Sequence, residues 1–138
     1  DRSNSPILIA EDSPLLSKLI CECLRKAGYT NLIVNMNGQE AWDKLCEMKE
    51  RGTVLDDVHC IITDIEMPLM DGHRLTKLVK ENEVMKKIPV VIFSSLINEE
   101  IRLKGESLGA DAQLTKPEIG KLVSAIDGLI EKYEAGRK

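Results

Sequence analysis

Short, wholly apolar runs alternate along this 138-residue chain with longer segments in which apolar positions recur every three or four residues. A buried-strand pattern followed each time by an amphipathic-helix pattern is the signature of repeated β-α units. The first run, Ile7-Leu8-Ile9-Ala10, has no polar position, as a strand covered on both faces requires. Ser13 then stands where an N-cap belongs, with Pro14 at the first helical position. Leu15, Leu16, Leu19, Ile20, Cys23 and Leu24 follow at helical spacing, and Gly28 closes the helix. Leu32-Ile33-Val34 reads as a second strand. Asn37, with Glu40 three residues on, opens a helix striped by Ala41, Leu45 and Met48. The stretch from Glu50 to Asp57, with Gly52 and paired aspartates, reads as a loop. Val58 to Thr63 forms the third strand, and a loop through Pro68, Asp71 and Gly72 leads into a helix ending near Asn82. Pro89 opens a fourth strand, Val90-Val91-Ile92-Phe93, where a missing ladder donor is tolerable. A helix from Asn98 to Leu108, with Gly105 a weak point inside it, precedes a short fifth strand, Ala112 to Thr115. Ile119, Leu122, Val123, Ile126, Leu129 and Ile130 stripe the last helix.

Five such units with short connections imply a parallel sheet, because parallel neighbours need crossover helices. The expected fold is a doubly wound α/β domain over residues 6–134, with polar tails at 1–5 and 135–138. Helices on both faces leave the carboxyl ends of the strands as the place for a ligand.

Composition narrows the classes. A net charge of −4 provides no basic excess to release counterions from nucleic acid. Tyr29, Trp42, Phe93 and Tyr133 are the only aromatics, too few for base-stacking platforms. The 43% apolar content excludes disorder, and no apolar run reaches the length of a membrane span. Residues 1–5 lack the layout of a signal peptide. Cys21, Cys23, Cys46 and Cys60 form no CxxC pair and read as reduced thiols of a cytoplasmic protein. Cys60 beside His59 lacks the further ligands a metal site needs. His59 reads as structural and His73 as solvent-facing.

The residues just past the strands form a set with shared chemistry. Glu11-Asp12 follow strand one, Asp64 strand three, Ser94-Ser95 strand four and Lys116-Pro117 strand five. Each has an ordinary reading alone: Asp12 as a cap, Ser94 as a turn residue, Lys116 as a solvated lysine. Together they bring three carboxylates, a hydroxyl and an ammonium to one rim. Clustered carboxylates repel unless a cation joins them, and an oxygen-rich, water-accessible group suits Mg²⁺. The expected ligands are Asp12, Asp64 and a backbone carbonyl at Glu66, with Glu11 supporting through water.

This ordered array, with Met67-Pro68 and Asp71-Gly72 after Asp64 and Gly109-Ala110-Asp111 before Lys116-Pro117, resembles a response-regulator receiver domain of the CheY-like kind. The likeness runs from Ile7 to Tyr133. It implies a flavodoxin-like sheet of order 2-1-3-4-5 and a phosphoacceptor rather than a turnover enzyme. On the matching positions it makes Asp64 the acceptor of a phosphoryl group from a histidine kinase and Glu11 and Asp12 the acidic pair serving Mg²⁺. Ser94 becomes the switch hydroxyl and Lys116 the lysine that contacts phosphate. It also implies a cis peptide at Lys116-Pro117.

One position departs from the family pattern: Gln113 stands where many receivers have Tyr or Phe. It reads either as an amide hydrogen-bonding where an aromatic packs or as an exposed polar residue. The segments 37–42, 65–73 and 93–100 are similar to the receiver module of CheV-type chemotaxis coupling proteins. That likeness implies a CheA-type kinase as donor and a CheW-like domain preceding this one, so that a start without Met suits an excised module. Two other readings compete. A Toprim-like phosphodiester enzyme places Glu11 beside Asp64-Ile65-Glu66 but leaves Ser94 and Lys116 unexplained. A receiver fold acting as an unphosphorylated scaffold takes Gln113 as its motive.

Overall fold

A computed structural model describes residues 1–137 of the chain. Five parallel strands, β1 (Ile7–Ala10), β2 (Leu32–Asn35), β3 (Cys60–Thr63), β4 (Val90–Ser94) and β5 (Ala112–Thr115), lie in the order β2-β1-β3-β4-β5. The helices are α1 (Pro14–Lys26), α2 (Gly38–Glu50), α3 (Val54–Asp57), α4 (Gly72–Glu81), α5 (Glu99–Ser107) and α6 (Ile119–Ala135). The period-2 alternation of the strands divides the core in two. Leu8, Ala10, Ile61 and Val90 pack with Ala41, Leu45, Leu75 and Val79 of α2 and α4. Ile7, Ile9, Ile62, Val91 and Phe93 pack with Ile20, Leu24, Leu122 and Ile126 of α1 and α6. Every residue of β1, β3 and β4 is buried, whereas β5 on the sheet edge is half-buried throughout.

The helix starts behave as their sequences dictate. Ser13 Oγ accepts from Leu16 N, Asn37 Oδ1 from Glu40 N at 2.8 Å, Asp71 Oδ1 from Arg74 N at 2.7 Å and Asn98 Oδ1 from Ile101 N at 2.8 Å. Each bond satisfies a donor the first helical turn would otherwise leave unpaired.

Three segments differ from expectation. Residues 54–57, read as loop, form α3, because Val54 is buried and Tyr133 Oη donates to the Leu55 carbonyl at 2.6 Å. Strand β3 accordingly starts at Cys60, since Val58 still closes α3 through its N–H to the Val54 carbonyl. Residues 1–5, read as a tail, make a 3-10 turn over Arg2–Asn4. Arg2 donates to Asp127 through Nε at 3.1 Å and Nη2 at 2.6 Å, and to the Ala27 carbonyl at 2.8 Å.

At the base of the sheet, Glu134 Oε2 accepts from Ser5 Oγ and from His59 Nδ1, both at 2.6 Å. Arg137 Nη1 lies 3.3 Å from His59 Nε2, so Nε2 is the acceptor and the proton sits on Nδ1. Burial opposes the charge on Glu134, yet these hydrogen bonds hold its carboxyl below the ordinary range. Arg2 holds Asp127 low, with help from the Tyr29 hydroxyl, and Arg137 holds Asp56 low. Carboxyls that are more acidic in the folded state stabilise it fully above their unfolded pKa, near 4, and lose that stabilisation as pH falls through the lowered values. Stability measured by urea unfolding is therefore expected to drop on going from about pH 6 to about pH 3. Replacing Glu134 with Gln should make that drop shallower.

Candidate functional site

The parallel register decides which side chains meet. Ala10 pairs with Thr63, Thr63 with Ile92 and Ile92 with Gln113, so β1 and β3 end level with each other while β4 and β5 run two residues further, to the paired Ser94 and Thr115, at the same edge of the sheet. The next residues emerge together: Glu11 and Asp12 from β1, Asp64 from β3 and Lys116 from β5. Oxygens of Glu11, Asp12 and Asp64 lie within 4.8 Å of one another, with Glu11 and Asp64 buried and Asp12 open to solvent.

Lys116 Nζ reaches into this group, donating to Asp64 Oδ2 at 2.9 Å and lying 3.0 Å from Glu11 Oε1. The second contact is an ion pair without hydrogen-bond directionality, so Glu11 Oε1 is a buried oxygen with no hydrogen bond among the described residues. Its other oxygen, Oε2, accepts from Ser13 N at 3.0 Å. Burial pushes the Glu11 carboxyl above its ordinary pKa, with the nearby charge of Asp64 adding to it, against the Ser13 N–H and Lys116. Burial works against the Lys116 ammonium too, but Asp64 and Glu11 outweigh it and its pKa rises. The lysine is thus held charged between two carboxylates. Asp64 Oδ1 accepts from Ile65 N at 2.7 Å, which fixes the plane of its carboxylate.

A divalent cation fits the donors present. They are all oxygens, one is buried and lacks a hydrogen bond, and Asp12 leaves an open side where water can complete coordination. The Glu66 side chain is exposed and stands outside the carboxylate group. Its carbonyl accepts no hydrogen bond among the described residues and remains available.

Ser94 is buried at the end of β4, but its Oγ accepts from Leu96 N at 3.1 Å and makes no hydrogen bond to Asp64. The Lys116-Pro117 peptide is trans, correcting the expected cis bond, since no cis peptide occurs among the described residues. Lys116–Glu118 form a 3-10 turn instead, closed by a capping box in which Glu118 Oε1 accepts from Thr115 N and Oγ1, both at 2.9 Å. That N–H, then Lys121 and the Thr115 hydroxyl, pull the Glu118 carboxyl down to about 2. This turn aims Lys116 inward, and the Thr-x-x-Glu spacing of Thr115 and Glu118 is the signal for it in the sequence.

His73 is buried, correcting its assignment to solvent. It lies in the first turn of α4, and burial, then Lys104, lowers its pKa and keeps it neutral, while Nε2 has no partner among the described residues. The loop from 65 to 71 is held from both sides: Gly72 N donates to the Ile65 carbonyl at 2.8 Å and Gly38 N to the Met70 carbonyl at 3.1 Å. At its tip Leu69 is 82% exposed with φ +69°, a costly conformation for a branched side chain. A cavity of about 510 Å³ lined by Leu55, Pro89, Asp111 and Tyr133 opens at the opposite end of the sheet and takes no part in this group.

Known proteins match most of the chain. The sequence matches the response regulator receiver domain family over residues 7–127. It is 33% identical over 114 residues to the chemotaxis protein CheV1 of Helicobacter pylori, covering 83% of this chain and 34% of that protein. It is 32% identical over 127 residues to the probable transcriptional regulator ycf29 of Pyropia yezoensis, covering 91% of this chain and 53% of that protein. The chain thus spans about half or less of the length of these relatives. The signal receiver domain of a signal transduction histidine kinase from Syntrophus aciditrophicus superposes with a TM-score of 0.79 at 30% identity, covering 93% of this chain and 91% of that one.

Proposed function

Because the chain belongs to the response regulator receiver domain family, we propose that it takes a phosphoryl group onto Asp64 from a phosphorylated histidine kinase and thereby switches protein contacts in chemotaxis signalling. The observation that carries this reading is Asp64 itself. It is a carboxylate held by Ile65 N on one oxygen and Lys116 on the other, beside Glu11 and Asp12.

In the transfer, an Asp64 oxygen forms a bond to phosphorus as the phosphorus–nitrogen bond of the donor phosphohistidine breaks and the imidazole leaves. An anionic nucleophile must approach an anionic phosphoryl group, so positioning and charge neutralisation set the barrier. Lys116 neutralises one side of that approach as a point charge. Asp12, Asp64 and the Glu66 carbonyl would hold Mg²⁺, with Glu11 supporting. The ion, when bound, supplies charge neutralisation of the phosphoryl oxygens. Ser94 can donate its hydroxyl to a phosphoryl oxygen once it turns from its bond with Leu96 N, and that contact exists only in the phosphorylated state. The chain acts on no external metabolite in this reading.

The similarity to the chemotaxis protein CheV1 supports the chemotaxis assignment, and with it we propose a CheA-type donor and a neighbouring CheW-like domain. Among the described residues no helix is long and apolar enough to cross a membrane, and the free cysteines suit the cytoplasm. Incubation with acetyl phosphate and Mg²⁺ is expected to add one phosphoryl group per chain, and a chelator to abolish the addition. Uptake that ignores the chelator contradicts the divalent site. Transfer from a phosphorylated chemotaxis kinase should also outpace transfer from an unrelated histidine kinase. Equal rates remove the chemotaxis part.

A further inference from the structure

The cavity at the opposite end of the sheet, about 510 Å³ in volume, shares no lining residue with the Asp64 group. Its size lies in the range of small-molecule sites. Its floor is apolar and comes from three places in the chain: Leu55 of α3, Pro89 just before β4, and Leu129 and Tyr133 of α6. The walls are fixed by contacts of their own. Tyr133 Oη donates to the Leu55 carbonyl at 2.6 Å, which ties α6 to α3. The Arg137 guanidinium lies 5.6 Å from the centre of the Tyr133 ring and pairs with Asp56. Asp111 Oδ2 accepts from Val90 N at 2.7 Å and pairs with Lys80 at 2.8 Å. A pocket held in this way needs little reordering to take a ligand.

Charge at the cavity is not balanced. Its charged side chains are Lys87, Asp111, Lys132 and Arg137. Asp111 is matched by Lys80 and Arg137 by Asp56. Lys87, in a 3-10 turn over Met85–Lys87, and Lys132, in the last turn of α6, form no ion pair among the described residues, and both are exposed. In a chain of net charge −4, two unmatched ammonium groups therefore line one apolar-floored cavity. Lys132 also offsets the partial negative charge at the C-terminal end of α6. That role needs no second lysine, and Lys87 belongs to a different element. A solvated lysine is ordinary on any surface, but these two share a preformed apolar hollow.

We propose that this cavity is a binding site for a small amphipathic organic anion, its acid group on Lys87 and Lys132 and its apolar body on Leu55, Pro89 and Leu129. A bare inorganic anion leaves the floor unused, and a neutral apolar molecule leaves the lysines unused. The site is independent of the reading of Asp64 as phosphoacceptor, and either stands if the other falls.

The probe is naphthaleneacetate, which joins a carboxylate to a flat apolar ring. Two companions remove one half each: naphthaleneacetamide is neutral and of the same shape, and acetate lacks the ring. Binding to the full chain is followed through backbone amide signals in NMR titrations. Naphthaleneacetate is expected to shift Leu55, Lys87 and Gly136 with a Kd of about 1 mM, ordinary for a molecule of its size. The amide is expected to bind about fivefold more weakly, the share of two exposed ion pairs. Acetate at the same concentration is expected to leave these signals in place. Replacing both lysines, Lys87→Gln with Lys132→Gln, should bring naphthaleneacetate down to the level of its amide. Both side chains are exposed, so this variant keeps its fold. Asp64→Asn should leave the affinity unchanged. Equal binding of the acid and its amide, equal shifts with acetate, or unchanged affinity in the double variant overturns the proposal. Shifts confined to Glu11, Asp64 and Lys116 overturn it too, as does the absence of binding up to about 10 mM.

Discussion

Lys116→Met is expected to lower the stability of the divalent-free domain by about 2–4 kcal/mol, the range for removing one partner of a buried charge group. The ammonium sits between Glu11 and Asp64 at 3.0 and 2.9 Å with only 13% of its side chain exposed. Without it, the two carboxylates face each other with no counter-charge, and Glu11, 1% exposed, cannot turn to water. Part of the loss is met by protonation of Glu11, whose pKa is already raised by burial. The same variant should hold Mg²⁺ more tightly than wild type, because the lysine and the cation compete for the same oxygens. Urea unfolding in chelator and in excess Mg²⁺ separates the two effects. The variant should be much weaker than wild type in the first and closer to it in the second. A loss of the same size in both conditions would mean that Lys116 serves packing alone.

Gly72→Ala is expected to cost about 3 kcal/mol or more, and to reduce phosphoryl uptake with it. The added Cβ would stand 1.8 Å from the Asp64 carbonyl oxygen, 2.8 Å from its carbon and 3.0 Å from Ile65 Cα. The obstruction is backbone, so no side chain can swing aside, and the end of β3 must part from the start of α4. That displacement carries Asp64 away from Lys116 and Glu11. Gly120→Ala in α6 provides the contrast: nothing lies within 4 Å of its Cβ, and the change should be neutral or stabilising by about 0.5–1 kcal/mol. Equal stability of the two variants in thermal unfolding would show that the 64–72 contact is not a fixed part of the site.

The rim was legible because several levels of the sequence agreed. All-apolar runs marked β1, β3 and β4, and caps at Ser13 and Asn37 marked helix starts. The ends of parallel strands then had to lie on one edge, which brought Glu11, Asp12, Asp64 and Lys116 together before any distance was known. What escaped was decided by contacts distant in sequence. Gly72 and Gly105 look alike as residues, yet one meets the backbone of Asp64 and the other the amide of Gln113. Leu55 lies in a polar stretch, and its turn of helix is held by the burial of Val54 and by Tyr133, 78 residues later, whose hydroxyl donates to the Leu55 carbonyl. His73 follows a turn-like Asp-Gly pair, but α4 turns that face inward along with Leu75, Thr76 and Val79. Gln113 left two readings open. The bond from its Nε2 to the Arg102 carbonyl settles its packing, because an edge strand under a glycine-bearing helix has room for an amide.

The central claim is that Asp64 receives the phosphoryl group. The most direct measurement is mass spectrometry of peptides from chain treated with acetyl phosphate and Mg²⁺, comparing wild type with Asp64→Asn and Asp12→Asn. The account predicts one hydroxylamine-labile phosphoryl group on the peptide containing Asp64 in wild type, none in Asp64→Asn, and slowed uptake still directed to Asp64 in Asp12→Asn. Equal labelling of wild type and Asp64→Asn, or no labelling of wild type while its fold is intact, would contradict it.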